Sequence, residues 1–304
     1  MQDTKTNKTK EYKRRRGDRK DGRLIREIDP LHYVTGVIYP HRCDNEAYIA
    51  ERIDLTAINE YLARKNADDP EYKYNMFQII VTSLLKTITL RPVMNRFIAN
   101  GKFYQRNEIS ASFVVKQIFS DSGGEVLAFI RAKEDDTLDT IHQDIFRQVS
   151  KFRGEGYVDP SSDAMDVFNK MPRWLSRFLL KLVMKLDKRG RVPQFLIETD
   201  PYYSSCVISN VGSIRLKSGY HHLTNWGTCS LFCLIGEIKK RPVFADDGTF
   251  EMRPTVDLGI TVDERLGDGY YYSRTIKLLK YLMHHPELLE RPLSEKVDFD
   301  NGDE

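Results

Sequence analysis

The chain has 304 residues, 40% of them apolar and 11% aromatic, which is enough for one large domain or two small ones and excludes global disorder. Four cysteines are not a disulfide framework, no stretch approaches the roughly 18–20 apolar residues of a membrane span, and residues 1–22 lack a secretory apolar run, so the expected setting is cytoplasmic. Net charge is only +3, yet residues 1–26 hold eleven Lys or Arg against four acids, which leaves −4 on the remainder; that balance argues against a nucleic-acid-binding fold and for a globular body behind a charged arm.

In chain order, residues 1–30 read as a basic, mobile arm. YIAERIDLTAINEYLARKN (48–66) carries an apolar stripe at Ile53, Ala57, Ile58 and Tyr61, which predicts a helix. Residues 74–90 predict a second, more buried helix, stopped by Arg91-Pro92. Residues 102–119 alternate as strands, Asp121 to Gly124 make a turn, and EVLAFIRAK resumes the sheet. A third helix covers 139–153, with His142 expected on its surface. A loop (154–163) leads to a fourth, amphipathic helix over 171–190, ended by Gly190. Short strands follow at 204–212, 229–244 and 250–264, then a last helix over 270–284. Residues 296–304 form an acidic tail. Mixed helices and strands with β-rich pairs late favour an α+β two-layer sandwich over a doubly wound parallel sheet, and no dinucleotide or P-loop fingerprint is present.

Three segments then fall in a meaningful order: RPVMNRFIANGKFYQRNEISASFVV (91–115), with Pro92 and Asn95; CVISNVGSI (206–214); and DLGITVDERLGDGYYYSRTIKLLKYL (257–282). Together they resemble the catalytic domain of the 2-oxo acid dehydrogenase acyltransferases and their chloramphenicol acetyltransferase relatives, over about residues 45–292. The resemblance implies a chloramphenicol acetyltransferase-like two-layer α/β sandwich with a mixed sheet, spanning residues 31–295. It also implies homotrimers with sites at subunit interfaces, and a channel admitting coenzyme A from one side and the acyl acceptor from the other. The lipoyl and subunit-binding domains of the pyruvate dehydrogenase acyltransferases are absent, so no covalently bound lipoate is expected, and no metal.

Acyl transfer from a thioester needs a base, an oxyanion donor and a scaffold that aligns them. Carried over by resemblance, Ser209 is the oxyanion donor and Asp268 orients the loop, with Asn210, Arg265 and Gly269 beside the cofactor. Asp268-Gly269 also reads as a helix N-cap. Glu264 stands where the family keeps its catalytic histidine. Glutamate titrates near 4.3 and histidine near 6.5, a handicap of roughly 3 kcal/mol for a base, which burial can partly recover. Three outcomes stay open: Glu264 is an unusual base, His221 or His222 takes over with Glu264 orienting it, or the site is inactive and the chain is a trimeric binding or assembly protein. The partners expected are acyl-CoA and an unidentified acceptor. Cys229 and Cys233 share a strand face about 13 Å apart, too far for one metal. The basic arm and the 171–190 helix leave a membrane-surface adaptor as a third, weaker reading.

Overall fold

The computed structural model describes residues 12–116, 125–154 and 170–299. The Asp121–Gly124 turn, nearly all of the 154–163 loop, the first eleven residues of the arm and the last five of the acidic tail lie outside these ranges.

The longest strand organises the fold. Strands β2 (Glu46–Asp54), β5 (Ile109–Lys116), β6 (Glu125–Ala132), β7 (Cys206–Asn210), β8 (Leu231–Ile235), β9 (Lys239–Phe244) and β10 (Phe250–Asp263) form one sheet. Its order is β2-β10-β8-β7-β5-β6, with β9 also paired to β10. The sheet is mixed: β5, β7 and β8 run parallel, and the remaining pairs are antiparallel. A small second sheet joins β1 (Gly22–Leu24), β4 (Lys102–Arg106) and β3 (Arg96–Ala99).

Side chains alternate across a strand, so each strand divides its residues between two faces. On one face Cys206, Ile208, Leu231, Cys233, Val256, Leu258, Ile260 and Val262 join the main core. Helices α2 (Thr56–Lys65), α3 (Met76–Leu90), α4 (Leu138–Arg153) and α7 (Gly269–His284) close it, with α3 central between α4 and α7. Helix α3 starts in a capping box between Asn75 and Gln78 and stops at Arg91, before Pro92. On the other face Val207, Phe232 and Leu234 make a smaller cluster with Leu223 and Cys229, under the 211–228 loop. This is the two-layer sandwich with a mixed sheet expected from the sequence.

Three readings change. The 48–66 stretch is not one helix: β2 pairs along β10 from Glu46 to Asp54, and only Thr56–Lys65 is helical. Its stripe spans a strand–helix boundary, where Asp54 accepts from the Thr56 N–H at 2.9 Å. Residues 12–30 are not a mobile arm. Strand β1 pairs with β4, helix α1 follows (Pro30–Ile38), and Arg19 and Asp21 are buried. His142 is not on the surface: it is 7% exposed and stacked on Tyr74 at 3.7 Å.

The fourth helix is α5 (Arg173–Lys188), followed after a turn by α6 (Gln194–Thr199). Gly190 ends the turn at φ 64°, in the left-handed region, with Arg19 packed where a Cβ would stand.

Candidate active site

At the end of β10 the chain makes a tight turn over Glu264–Leu266 and enters α7. Asp263 and Arg265 point inward and are 0% and 2% exposed. They form a fork: Arg265 Nε donates to Asp263 Oδ1 at 2.7 Å and Nη2 to Oδ2 at 2.6 Å. Arg265 Nη1 donates to the Tyr39 carbonyl at 2.7 Å. The Tyr272 hydroxyl donates to the Asp263 carbonyl at 2.7 Å, and burial together with the Asp263 carboxylate pushes that phenol well above its ordinary range. Arg42 lies alongside, its Nε 3.8 Å from Asp263, and its other donors reach the carbonyls of Thr224 and Gly227 at 2.8 and 3.2 Å. Burial lowers the Arg42 pKa, with Asp263 opposing the shift.

This buried fork aims the residue between its members outward. Glu264 is exposed, its N–H held by the Asn45 carbonyl at 3.0 Å, and its carboxylate makes no hydrogen bond or ion pair among the described residues. Arg265 therefore does not keep the cofactor contact expected of it: with its side chain 1% exposed and its donors spent on Asp263 and Tyr39, it is part of the frame. Asp268 is exposed and caps α7, accepting from the Tyr271 N–H at 2.7 Å; no arginine pairs with it among the described residues. Gly269 opens α7 with free space around it.

Ser209 occupies the other end of the arrangement. It is half-buried near the end of β7, on the face opposite the helices, and its hydroxyl makes no hydrogen bond among the described residues. The side-chain amide of Asn210 is likewise unbonded there, while its carbonyl accepts from Ser213 Oγ at 2.7 Å. Register places Ser209 beside Leu234, and Leu234 beside Gly259. Glu264, in the turn just past the end of β10, is five residues on from Gly259. At about 3.3 Å per residue and two strand spacings across, the two positions are roughly 19 Å apart in one subunit.

The loop over that second face links the two levels. The Gly219 carbonyl lies where a Cβ on Gly259 would stand, so only glycine fits at 259. Further on, the Leu223 N–H donates to the Glu46 carboxylate, and Glu46 is the cross-strand partner of Asp263. The loop thus carries His221 and His222 toward the Glu264 end. His221 is stacked on Phe232 at 4.2 Å and its Nδ1 lies 3.0 Å from the His222 carbonyl. His222 is exposed, stacked on His221 at 4.6 Å, with no hydrogen bond to Glu264.

Sequence reasoning missed a groove between edge strand β2 and α7, about 690 Å³ in volume. Ala47, Ile49, Tyr272, Ile276, Lys277 and Tyr281 line it, and Gly269 lies at its rim. The period-two pattern of β2 held the signal, since it turns Ala47 and Ile49 toward α7.

Residues 195–290 match the family of 2-oxoacid dehydrogenases acyltransferase (catalytic domain). Two of the three motif segments fall within that stretch, and 91–115 precedes it. No curated protein sequence matches. Among solved structures, a probable dihydrolipoamide acetyltransferase from Listeria monocytogenes 4b F2365 superposes with TM-score 0.56 at 16% identity, covering 87% of this chain and 95% of that one. A dihydrolipoamide acetyltransferase from Azotobacter vinelandii, described for the role of a serine, a histidine and an asparagine in its catalytic mechanism, has TM-score 0.56 at 15% identity, covering 87% and 93%. A chloramphenicol acetyltransferase has TM-score 0.50 at 12% identity, covering 86% and 99%. The chain has the fold of these acyltransferases. Its stretch 195–290, which holds both Ser209 and Glu264, carries the likeness to the 2-oxoacid dehydrogenase acyltransferase catalytic domain.

Proposed function

We propose that this protein is a coenzyme A-dependent acyltransferase, acting as a homotrimer in which Ser209 of one subunit and Glu264 of the next converge on one thioester. The observation that carries the reading is a pair of unspent groups in a heavily bonded frame. Asp263, Arg265, Arg42 and Tyr272 are committed to one another or to backbone, whereas the Ser209 hydroxyl and the Glu264 carboxylate have no partner among the described residues. Roughly 19 Å separates them within a subunit, so one carbonyl carbon reaches both only if a second copy supplies one of them.

The chemistry balances with these two groups. Glu264 accepts the proton of the acceptor's thiol, amine or hydroxyl as that atom bonds to the thioester carbon. The carbonyl oxygen becomes an oxyanion and accepts a hydrogen bond from Ser209. Collapse breaks the carbon–sulfur bond, and the proton on Glu264 passes to the departing coenzyme A thiolate. The spacing from Glu264 to Asp268 equals the histidine-to-asparagine spacing given for the Azotobacter vinelandii enzyme.

The test is turnover of acyl-CoA with free thiols and amines by the purified chain. Glu264→Gln is expected to lower kcat about a hundredfold or more while coenzyme A thioester still raises the melting temperature. An inactive wild type that gains turnover on Glu264→His would overturn the reading and mark a site that has lost its base.

A further inference from the structure

Helix α5, Arg173–Lys188, lies before the stretch that matches the acyltransferase family, and only its last turn, through Asp187, touches the frame of the site above. Its sequence has five Lys or Arg and a single acid, Asp187. That acid is turned inward. Its carboxylate accepts from Arg19 at 3.2 Å, the Tyr203 hydroxyl at 2.8 Å and the Gly227 N–H at 3.1 Å. Asp187 and Ser176 are the only buried residues of the helix, so the body grips it along one narrow line.

The outward side carries a basic row flanked by apolar residues, with Leu180 and Met184, 52% and 42% exposed, on one side of it and a longer row on the other. Arg173, Arg177, Lys181 and Lys185 recur every four residues and make one basic row, all exposed. Trp174, Phe178 and Leu182, one position further on, make a parallel apolar row and are 72%, 61% and 44% exposed. The ordinary explanation for such a row is packing on the protein's own sheet, and that exposure removes it. A second copy of the helix is also a poor cover, because it would set one basic row near another without an acid between them. An anionic surface with an apolar interior satisfies both rows: lysine and arginine tips reach lipid phosphates while the aromatic row enters the acyl boundary. No helix among the described residues is long and apolar enough to cross a membrane, so the geometry is that of a helix lying on one.

We propose that α5 docks the protein on anionic phospholipid bilayers, with the basic row on the headgroups and Trp174, Phe178 and Leu182 inserted beneath them. The test is co-sedimentation of the full chain with phosphatidylcholine vesicles, with and without phosphatidylglycerol, at low and high salt. The anionic vesicles are expected to bind the protein at least about tenfold more strongly than the neutral ones. High salt should weaken that binding. Trp174 fluorescence should shift to the blue on binding, and Trp174→Phe should remove the shift. The pairs Arg177→Glu with Lys181→Glu, and Trp174→Ser with Phe178→Ser, should each lower binding about tenfold or more without changing the melting temperature, since both alter exposed side chains. Absence of binding to anionic vesicles overturns the proposal. So does equal binding by wild type and both variants, which would move the contact elsewhere. A drop in the oligomer's mass for the variants, with no vesicle binding by wild type, would make α5 a protein contact instead.

Discussion

Glu264 and Arg265 are adjacent in sequence and opposite in role, and the difference is set by burial. Removing Arg265 leaves the Asp263 carboxylate in the core with Arg42 at 3.8 Å as its nearest cation. Arg265→Met is therefore expected to cost about 3–5 kcal/mol, read as a lower denaturation midpoint. Substitution at exposed Glu264 should leave stability within about 0.5 kcal/mol, so its loss of activity is separable from unfolding. Ser209→Ala should lower kcat by about two orders of magnitude with little change in fold, as expected for one oxyanion donor. His142 gives a pH signature. Burial between Tyr74 and Tyr72 pushes its pKa below 6.5, with Asp139 partly offsetting the shift. The folded state then binds fewer protons than the unfolded one, so its contribution is complete above the unfolded value and is lost as pH falls through the folded value. Thermal melts between about pH 7 and pH 5 should fall less steeply for His142→Phe than for wild type.

At the scale of elements, the sequence is most legible where one period runs uninterrupted. Helix α3 keeps its apolar period from a capping box to a proline, and its predicted and observed spans agree. The β2–α2 segment defeated the same reasoning because Ile53 closes a strand and Ile58 lies on a helix, yet both face one core and mimic a single stripe. Helix α3 also buries Lys86, 0% exposed, whose ammonium donates to the carbonyls of Leu288, Arg291 and Pro292 at 3.1, 3.3 and 2.7 Å. It ties the segment after α7 to the central helix, at a cost that appears as a lowered lysine pKa caused by burial. Lys86→Met keeps the length and removes the donors, and should destabilise the protein by about 3 kcal/mol. No sequence pattern announces that role, since the three acceptors are backbone oxygens some 200 positions away.

Across the whole molecule, the local setting of the motif residues was legible and the packing beneath them was not. Ser209, Glu264 and Asp268 could be found in one dimension because each sits in a short local pattern: a strand, a turn, a helix cap. The frame beneath them could not, because Arg42, Asp263 and Arg265 meet only when the first and last thirds of the chain pack together. The basic N-terminal segment misled for the same reason. Arg19 reads as one more charge in an arm until Asp187 is placed against it. Within one subunit Ser209 and Glu264 stand roughly 19 Å apart, and the proposed reaction needs them at one carbonyl.

Mixing two inactive variants measures that pairing. Chains carrying only Ser209→Ala and chains carrying only Glu264→Gln are dissociated, combined in equal amounts and reassembled, with exchange confirmed by mass. If each site takes its serine from one subunit and its glutamate from the next, random trimers regain about a quarter of wild-type acyl transfer, because that fraction of interfaces joins two intact residues. A fully exchanged mixture as inactive as its parents would contradict the shared site.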